Sequence, residues 1–183
     1  MGTGTILMTG FAPFGGLKKN PSWETVRTLK CNGFADNVHK LCLPVDFQTP
    51  HRLLLQEIQR IKPDYVFCSG VHFASAFHLE TLGHDVGRHN MQRKATVPLA
   101  SSSDFLKRAV EWLNLIYHTR VSQNAQGYVC EHITYWLARF AKRYGFQGGF
   151  IHVPTFETCP LKTQKKWWKN FLEITLGYFG PNT

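Results

Sequence analysis

Apolar positions along this chain fall into two alternating rhythms. Short, nearly continuous apolar runs at Thr5–Thr9, Val38–Leu43, Tyr65–Ser69, Arg120–Gln123 and Gly149–Val153 predict strands, because a strand covered on both faces needs apolar residues at every position rather than every second one. Between them, helical spacing predicts helices over Pro21–Leu29, Thr49–Ile61, Ser103–His118, Cys130–Tyr144 and Thr163–Tyr178. In the second helix Leu54, Ile58 and Ile61 recur on one face, Thr49 stands where a cap belongs and Pro50 suits the first turn. The stretch from Gly83 to Ser103 has no clear period and reads as a long surface loop, preceded by a short alternation at Phe77 and Leu79. Strands alternating with helices predict a single-domain α/β/α sandwich with a mostly parallel twisted central sheet, residues 1–183 forming one unit. In such sheets ligands gather at the carboxyl ends of the strands.

Composition narrows the function. With 183 residues and 43% apolar content the chain can bury a core without disulfides. No run approaches the roughly 18 apolar residues of a membrane span, and MGTGTILMTG lacks the basic flank and long apolar stretch of a signal peptide; a cytoplasmic enzyme with no membrane partner is expected. The five cysteines are widely spaced with no CxxC pair, so neither metal nor organic cofactor is expected. The formal charge of +9 raises nucleic-acid binding. However, its one local cluster, Lys162, Lys165, Lys166 and Lys169 around Trp167-Trp168, fits a helix with a solvated lysine face and two tryptophans turned inward. A noncatalytic basic binding module therefore stands as an alternative from a different class.

The turn TGFAPFGG, Thr9 to Gly16, follows the first strand and has the position of a phosphate loop. Its chemistry differs: Gly16 and Leu17 replace the lysine and hydroxyl of a GxxxxGK[ST] loop, and Pro13 offers no amide. Phe11 and Phe14 on a tight turn suit a flat, largely apolar ligand instead. The best nucleophile is Cys130, which follows a turn at Gly127 and opens a helix carrying Ile133, Trp136, Leu137 and Phe140. A helix N-terminus favours thiolate, while the adjacent Glu131 opposes it. His152 closes the last apolar strand and is the better base, since His132 lies two positions from Cys130 and faces elsewhere on the helix. A third group must orient the imidazole; Glu80 is attractive, with His84 and Asp85 as competitors.

Three separated blocks, ILMTGFAPFGGLKKNPSWETV, VSQNAQGYVCEH around Cys130 and GGFIHVP around His152, resemble the pyroglutamyl peptidase I family of cytosolic cysteine peptidases, which remove N-terminal pyroglutamate. A fourth block, PDYVFCSGVHFASAFHLETLGH, is similar to the family segment that ends in its catalytic glutamate. The resemblance implies a triad of Cys130, His152 and Glu80, and a lactam bracket of Phe11 and Phe14. It further implies pocket positions at Asn20, Val71, Tyr128 and Val129. N-terminally pyroglutamylated peptides become the expected partners; nucleic acid is not expected, and a homo-oligomer remains open. Val71 stands where many bacterial members have glutamine, and Gln126 stands where the family's AGxxxC pattern has glycine. Arg88 is an uncertain counterpart of an arginine that bacterial members carry after the glutamate, and the chain is shorter than typical near 83–103. These departures keep a related thiol amidase or deamidase with an altered pocket as the second alternative.

Overall fold

The computed structural model describes residues 4–31, 37–86, 93–98 and 103–177. Eight strands form there: β1 (Thr5–Phe11), β2 (Asn37–Leu43), β3 (Tyr65–Val71), β4 (Phe77–Glu80), β5 (Leu82–His84), β6 (Lys94–Thr96), β7 (Thr119–Ser122) and β8 (Gln147–Val153). They are joined with helices α1 (Pro21–Thr28), α2 (Pro50–Ile61), α3 (Ser103–Ile116), α4 (Val129–Tyr144) and α5 (Leu161–Thr175). Six strands make one sheet in the order β2-β1-β3-β8-β4-β7. β2, β1, β3 and β8 run parallel, whereas β4 is antiparallel to β8 and carries β7 parallel to itself. The result is the expected α/β sandwich with a mostly parallel sheet.

Alternate residues of the central strands feed two cores. Ile6, Met8, Phe67 and Ile151 pack on the face covered by Val26 of α1 and by Trp167, Trp168 and Phe171 of α5. Leu7, Val66, Cys68 and Phe150 pack on the other face, with Leu54 and Ile58 of α2 and Ile133 and Leu137 of α4. Because side chains alternate along a strand, His152 shares the α4 face with Phe150. Trp167 is sandwiched between Phe77 at 4.5 Å and Phe171 at 5.1 Å, both rings nearly parallel to it. Its Nε1 donates to Thr119 Oγ1 at 3.0 Å. Both tryptophans are 0% exposed while Lys162, Lys166 and Lys169 face solvent, as the lysine-face reading requires; neither of these two indoles is available to stack on a base.

Several expectations need correction. β4 is missing from the strands predicted above, although Phe77 and Leu79 hinted at it. Pairing with a neighbour on each side creates the strand. The supposed loop after Gly83 contains the hairpin β5–β6, with Leu82 paired to Thr96 and His84 to Lys94; residues 87–92 and 99–102, and with them Arg88, lie outside the described residues. Thr49 does not cap α2 with its side chain, because its own backbone is already helical (φ −91, ψ −45). Asp46 Oδ1 instead accepts from the amides of Gln48 and Thr49 at 2.8 and 2.7 Å.

Candidate active site

β1, β3 and β8 end at one edge of the sheet, where the chain leaves β1 toward β2 on one side and leaves β3 toward β4 on the other. An open α/β sheet has its crevice at such a point. Phe11, Val71 and, one residue before the end of β8, His152 lie at these carboxyl ends. A cleft of about 450 Å³ opens over them, lined also by Phe14, Asn20, Tyr128, Val129 and Cys130. It therefore brings together eight of the nine residues singled out in the sequence, and the ninth, Glu80, lies directly behind His152.

Cys130 is the second residue of α4, whose N-cap, Tyr128, supplies no side-chain hydrogen bond. The first-turn amides of a helix lack intrahelical partners, so here they remain for a ligand. The turn that delivers the helix is sharp: Gln126 and Gly127 have φ of +67 and +71. Glycine occupies this region freely, but a side chain there costs about 1–2 kcal/mol, so Gln126 accepts strain where the resembling family has glycine. At the end of β3, Gly70 leaves the space that the thiol fills. A Cβ at that position would stand 2.6 Å from Cys130 Sγ and 3.0 Å from Phe150 Cζ.

His152 Nδ1 is 2.8 Å from Glu80 Oε1, a contact buried on both sides. The antiparallel course of β4 creates it. His78 lies opposite His152 and Glu80 opposite Phe150, so the carboxylate reaches the imidazole diagonally across the strand pair, as long side chains can. With Nδ1 bound to Glu80, Nε2 is left for Cys130. Burial alone would push the His152 imidazolium down, but the neighbouring Cys130 sulfur and the Glu80 carboxylate outweigh it and raise its pKa to about 9. For Glu80, burial would raise the pKa, and the hydrogen bond and charge of His152 overcome this and hold it below the ordinary carboxylate value. Thiol, imidazole and carboxylate thus form a relay suited to nucleophilic attack and proton delivery.

The competing residues are engaged elsewhere. His84 Nδ1 lies 2.7 Å from Glu131 Oε1, which also accepts the His84 amide at 2.9 Å. The carboxylate expected to oppose the thiolate is therefore committed to β5. Asp85 faces Arg93 at 4.0 Å, and His132 Nε2 meets His51 Nδ1 at 3.0 Å. Among the other cysteines, burial pushes Cys68 up to about 12 and raises Cys31, Cys42 and Cys159 as well, which leaves them poor nucleophiles.

The two phenylalanines differ. Phe11 is 3% exposed and belongs to the α4-side core, whereas Phe14 is 39% exposed at the cleft mouth. Asn20 is occupied structurally: its Oδ1 accepts from Ser22 N and Oγ and so caps α1, and its Nδ2 donates to Ala12 O at 3.1 Å. It thereby fixes the turn that carries both rings. Sequence reasoning missed His72, whose Nδ1 accepts from Ala74 N at 3.1 Å and whose Nε2 meets Ala76 O at 2.8 Å. Burial first, then His152 and His78, push it down to about 4, so it is neutral and donates through Nε2. Its ring packs edge-on against His152 at 5.2 Å. Only the neighbouring glycine at a strand end marked this segment in the sequence. Among the described residues no group of His, Cys, Asp or Glu could hold a metal ion.

A family model described as pyroglutamyl peptidase matches residues 4–82. The pyrrolidone-carboxylate peptidase of Brachyspira hyodysenteriae is 33% identical over 164 residues, covering 81% of this chain and 82% of that one. Pyroglutamyl-peptidase 1 of Rattus norvegicus is 29% identical over 166 residues, 81% of this chain and 78% of that one. Among solved structures, the pyrrolidone carboxyl peptidase of Thermococcus litoralis superposes with a TM-score of 0.83 at 20% identity, covering 99% of this chain and 97% of that one. Pyroglutamyl peptidase I of Bacillus amyloliquefaciens gives 0.78 at 24% identity, with 95% of each chain covered. At those identities the structural likeness speaks to the fold.

Proposed function

Because this chain belongs to the pyroglutamyl peptidase family, cysteine-type omega-peptidases that remove N-terminal pyroglutamate from peptides, we propose that Cys130, His152 and Glu80 carry that reaction here. The observation that supports it most is the buried Glu80–His152 contact at 2.8 Å, which aims Nε2 at a thiol on an uncapped helix start.

Pyroglutamate is a flat lactam without a charged amine, and the described residues lining the cleft include no Asp, Glu, Lys or Arg. Phe14 closes over the ring and Phe11 forms its floor, while Val71 and Val129 complete an apolar wall; excluding water there strengthens the few hydrogen bonds made to the lactam. The Cys130 thiolate attacks the carbonyl carbon of the scissile amide. First-turn amides of α4 receive the oxyanion. His152 then gives its Nε2 proton to the departing amine as the C–N bond breaks, leaving a pyroglutamyl thioester on Cys130. In the second half His152, now neutral, takes a proton from water, whose oxygen attacks the thioester, and pyroglutamate leaves with the thiolate and imidazolium restored. Glu80 keeps the ring in one orientation and stabilises its charged form.

Residues 1–183 are one catalytic unit in this reading, and its substrates are free pyroglutamyl peptides. A cytoplasmic site of action belongs to the same reading; among the described residues no helix is long and apolar enough to cross a membrane. Comparing release of aminomethylcoumarin from pyroglutamyl, prolyl, alanyl and glutaminyl derivatives tests the assignment. Turnover confined to the first is expected. Comparable turnover of several, or none of the first, would favour a thiol amidase with a changed pocket.

A further inference from the structure

We propose that Phe73 selects the residue that follows pyroglutamate, favouring peptides whose second residue is aromatic or large and aliphatic; the inference rests on the peptidase reading above. Phe73 is 83% exposed and lines the catalytic cleft. A lone exposed apolar side chain is ordinary, but five of the eleven exposed large hydrophobic residues described, Phe14, Val45, Phe47, Phe73 and Tyr128, surround this one cleft. A gathering of that kind marks a contact surface.

Position separates Phe73 from Phe14, Val45 and Phe47. Val45 and Phe47 follow β2, whose last residue, Leu43, accepts the amide of Ala12 in the lactam turn, and so they share the side of Phe11 and Phe14. Phe73 stands on the opposite flank, next to His72, whose ring packs on His152. The amine that leaves the scissile bond must pass His152 to receive its proton, so the peptide beyond that bond extends toward His72 and Phe73.

The presentation is rigid as well. The amide of His72 donates to Val153 O at 3.1 Å, and its ring bridges Ala74 N and Ala76 O. The loop therefore holds the phenyl ring out from a fixed backbone, and little ordering cost opposes contact with a ligand. Among the described residues the lining has no Asp, Glu, Lys or Arg, in a chain of net charge +9, and its exposed rings favour apolar contact as the basis for selection.

The test compares kcat/KM for pyroglutamyl-phenylalanine amide, pyroglutamyl-glutamate amide and pyroglutamyl-glycine amide on the full chain. For the unaltered protein the phenylalanine-to-glycine ratio should be about tenfold or more. In Phe73→Ala that ratio should fall toward one, and in Phe73→Lys the glutamate substrate should gain on the phenylalanine substrate by about tenfold. A ratio near one in the unaltered protein, or a ratio that neither variant moves, overturns the inference and leaves the peptidase assignment standing. Failure to cleave any of the three overturns both. Should the rim instead be covered by a second copy, sedimentation would show a dimer that Phe73→Lys dissociates without altering the ratios, which also overturns it.

Discussion

His152 sits between two groups that both favour its charged form, and its pH behaviour follows with a definite sign. Its pKa rises from 6.5 to about 9 on folding, so the stability it contributes is complete below about 6.5 and is lost as pH rises through 9. Glu80 is lowered from 4.5, so its contribution is present above that value and disappears as pH falls through its folded value. Thermal melting should therefore lose stability toward pH 9 in the unaltered protein, and Glu80→Gln should flatten that decline. The same substitution should also move the alkaline limb of the kcat/KM profile to lower pH, since no carboxylate then holds the imidazolium; an unmoved limb would remove Glu80 from the relay. Gln126 offers a prediction in the stabilising direction. Relieving φ +67 through Gln126→Gly should raise stability by about 1 kcal/mol, read as a melting point roughly 2–4 °C higher. At this scale the sequence was informative about chemical identity. Cys130, His152 and the paired phenylalanines announced themselves, but Glu80, His84 and Asp85 could not be ranked by spacing, because the choice depends on which strand lies beside His152.

That choice is made by β4, a strand created by its pairing with β8 and β7. Its antiparallel pairing with β8 sets Glu80 diagonal to His152 and leaves the thiol side of the ring clear. The longer strands and all five described helices were legible because apolar residues recur along them, and their ends shifted by only a few residues. The hairpin β5–β6 was not legible, since its six residues owe their conformation to α4: the Glu131 carboxylate accepts the His84 amide. Where β3 ends, Gly70 makes the elements testable together. Gly70→Ala places a Cβ 2.6 Å from Cys130 Sγ, and the thiol must move. Alkylation of Cys130 by iodoacetamide and pyroglutamyl hydrolysis should both fall, hydrolysis by about a hundredfold, with the circular dichroism spectrum unchanged. Normal activity in that variant would mean that the sulfur does not occupy the site described. Phe14→Ala should behave differently, weakening kcat/KM by roughly ten- to a hundredfold through lost ring contact while alkylation continues.

At the level of the molecule, the lysine cluster of α5 and the cleft lie on separate elements. The lysines of α5 ride on a helix whose Trp167 and Trp168 are locked against β4 and β3, whereas the described residues lining the cleft include no Asp, Glu, Lys or Arg. Single-stranded RNA should therefore leave pyroglutamyl hydrolysis unaffected, and any association should vanish with modest salt. In the proposed reaction one thiol, that of Cys130, carries the pyroglutamyl group. Acid-quenching the protein during turnover of a pyroglutamyl peptide and mapping the thioester by peptide mass spectrometry measures this directly. The pyroglutamyl adduct should be found on the peptide containing Cys130, accumulate within the first turnover and be absent from Cys130→Ser, which should also lose hydrolysis by on the order of a thousandfold or more. An adduct on Cys31, Cys42, Cys68 or Cys159, or hydrolysis that persists in Cys130→Ser, would contradict it.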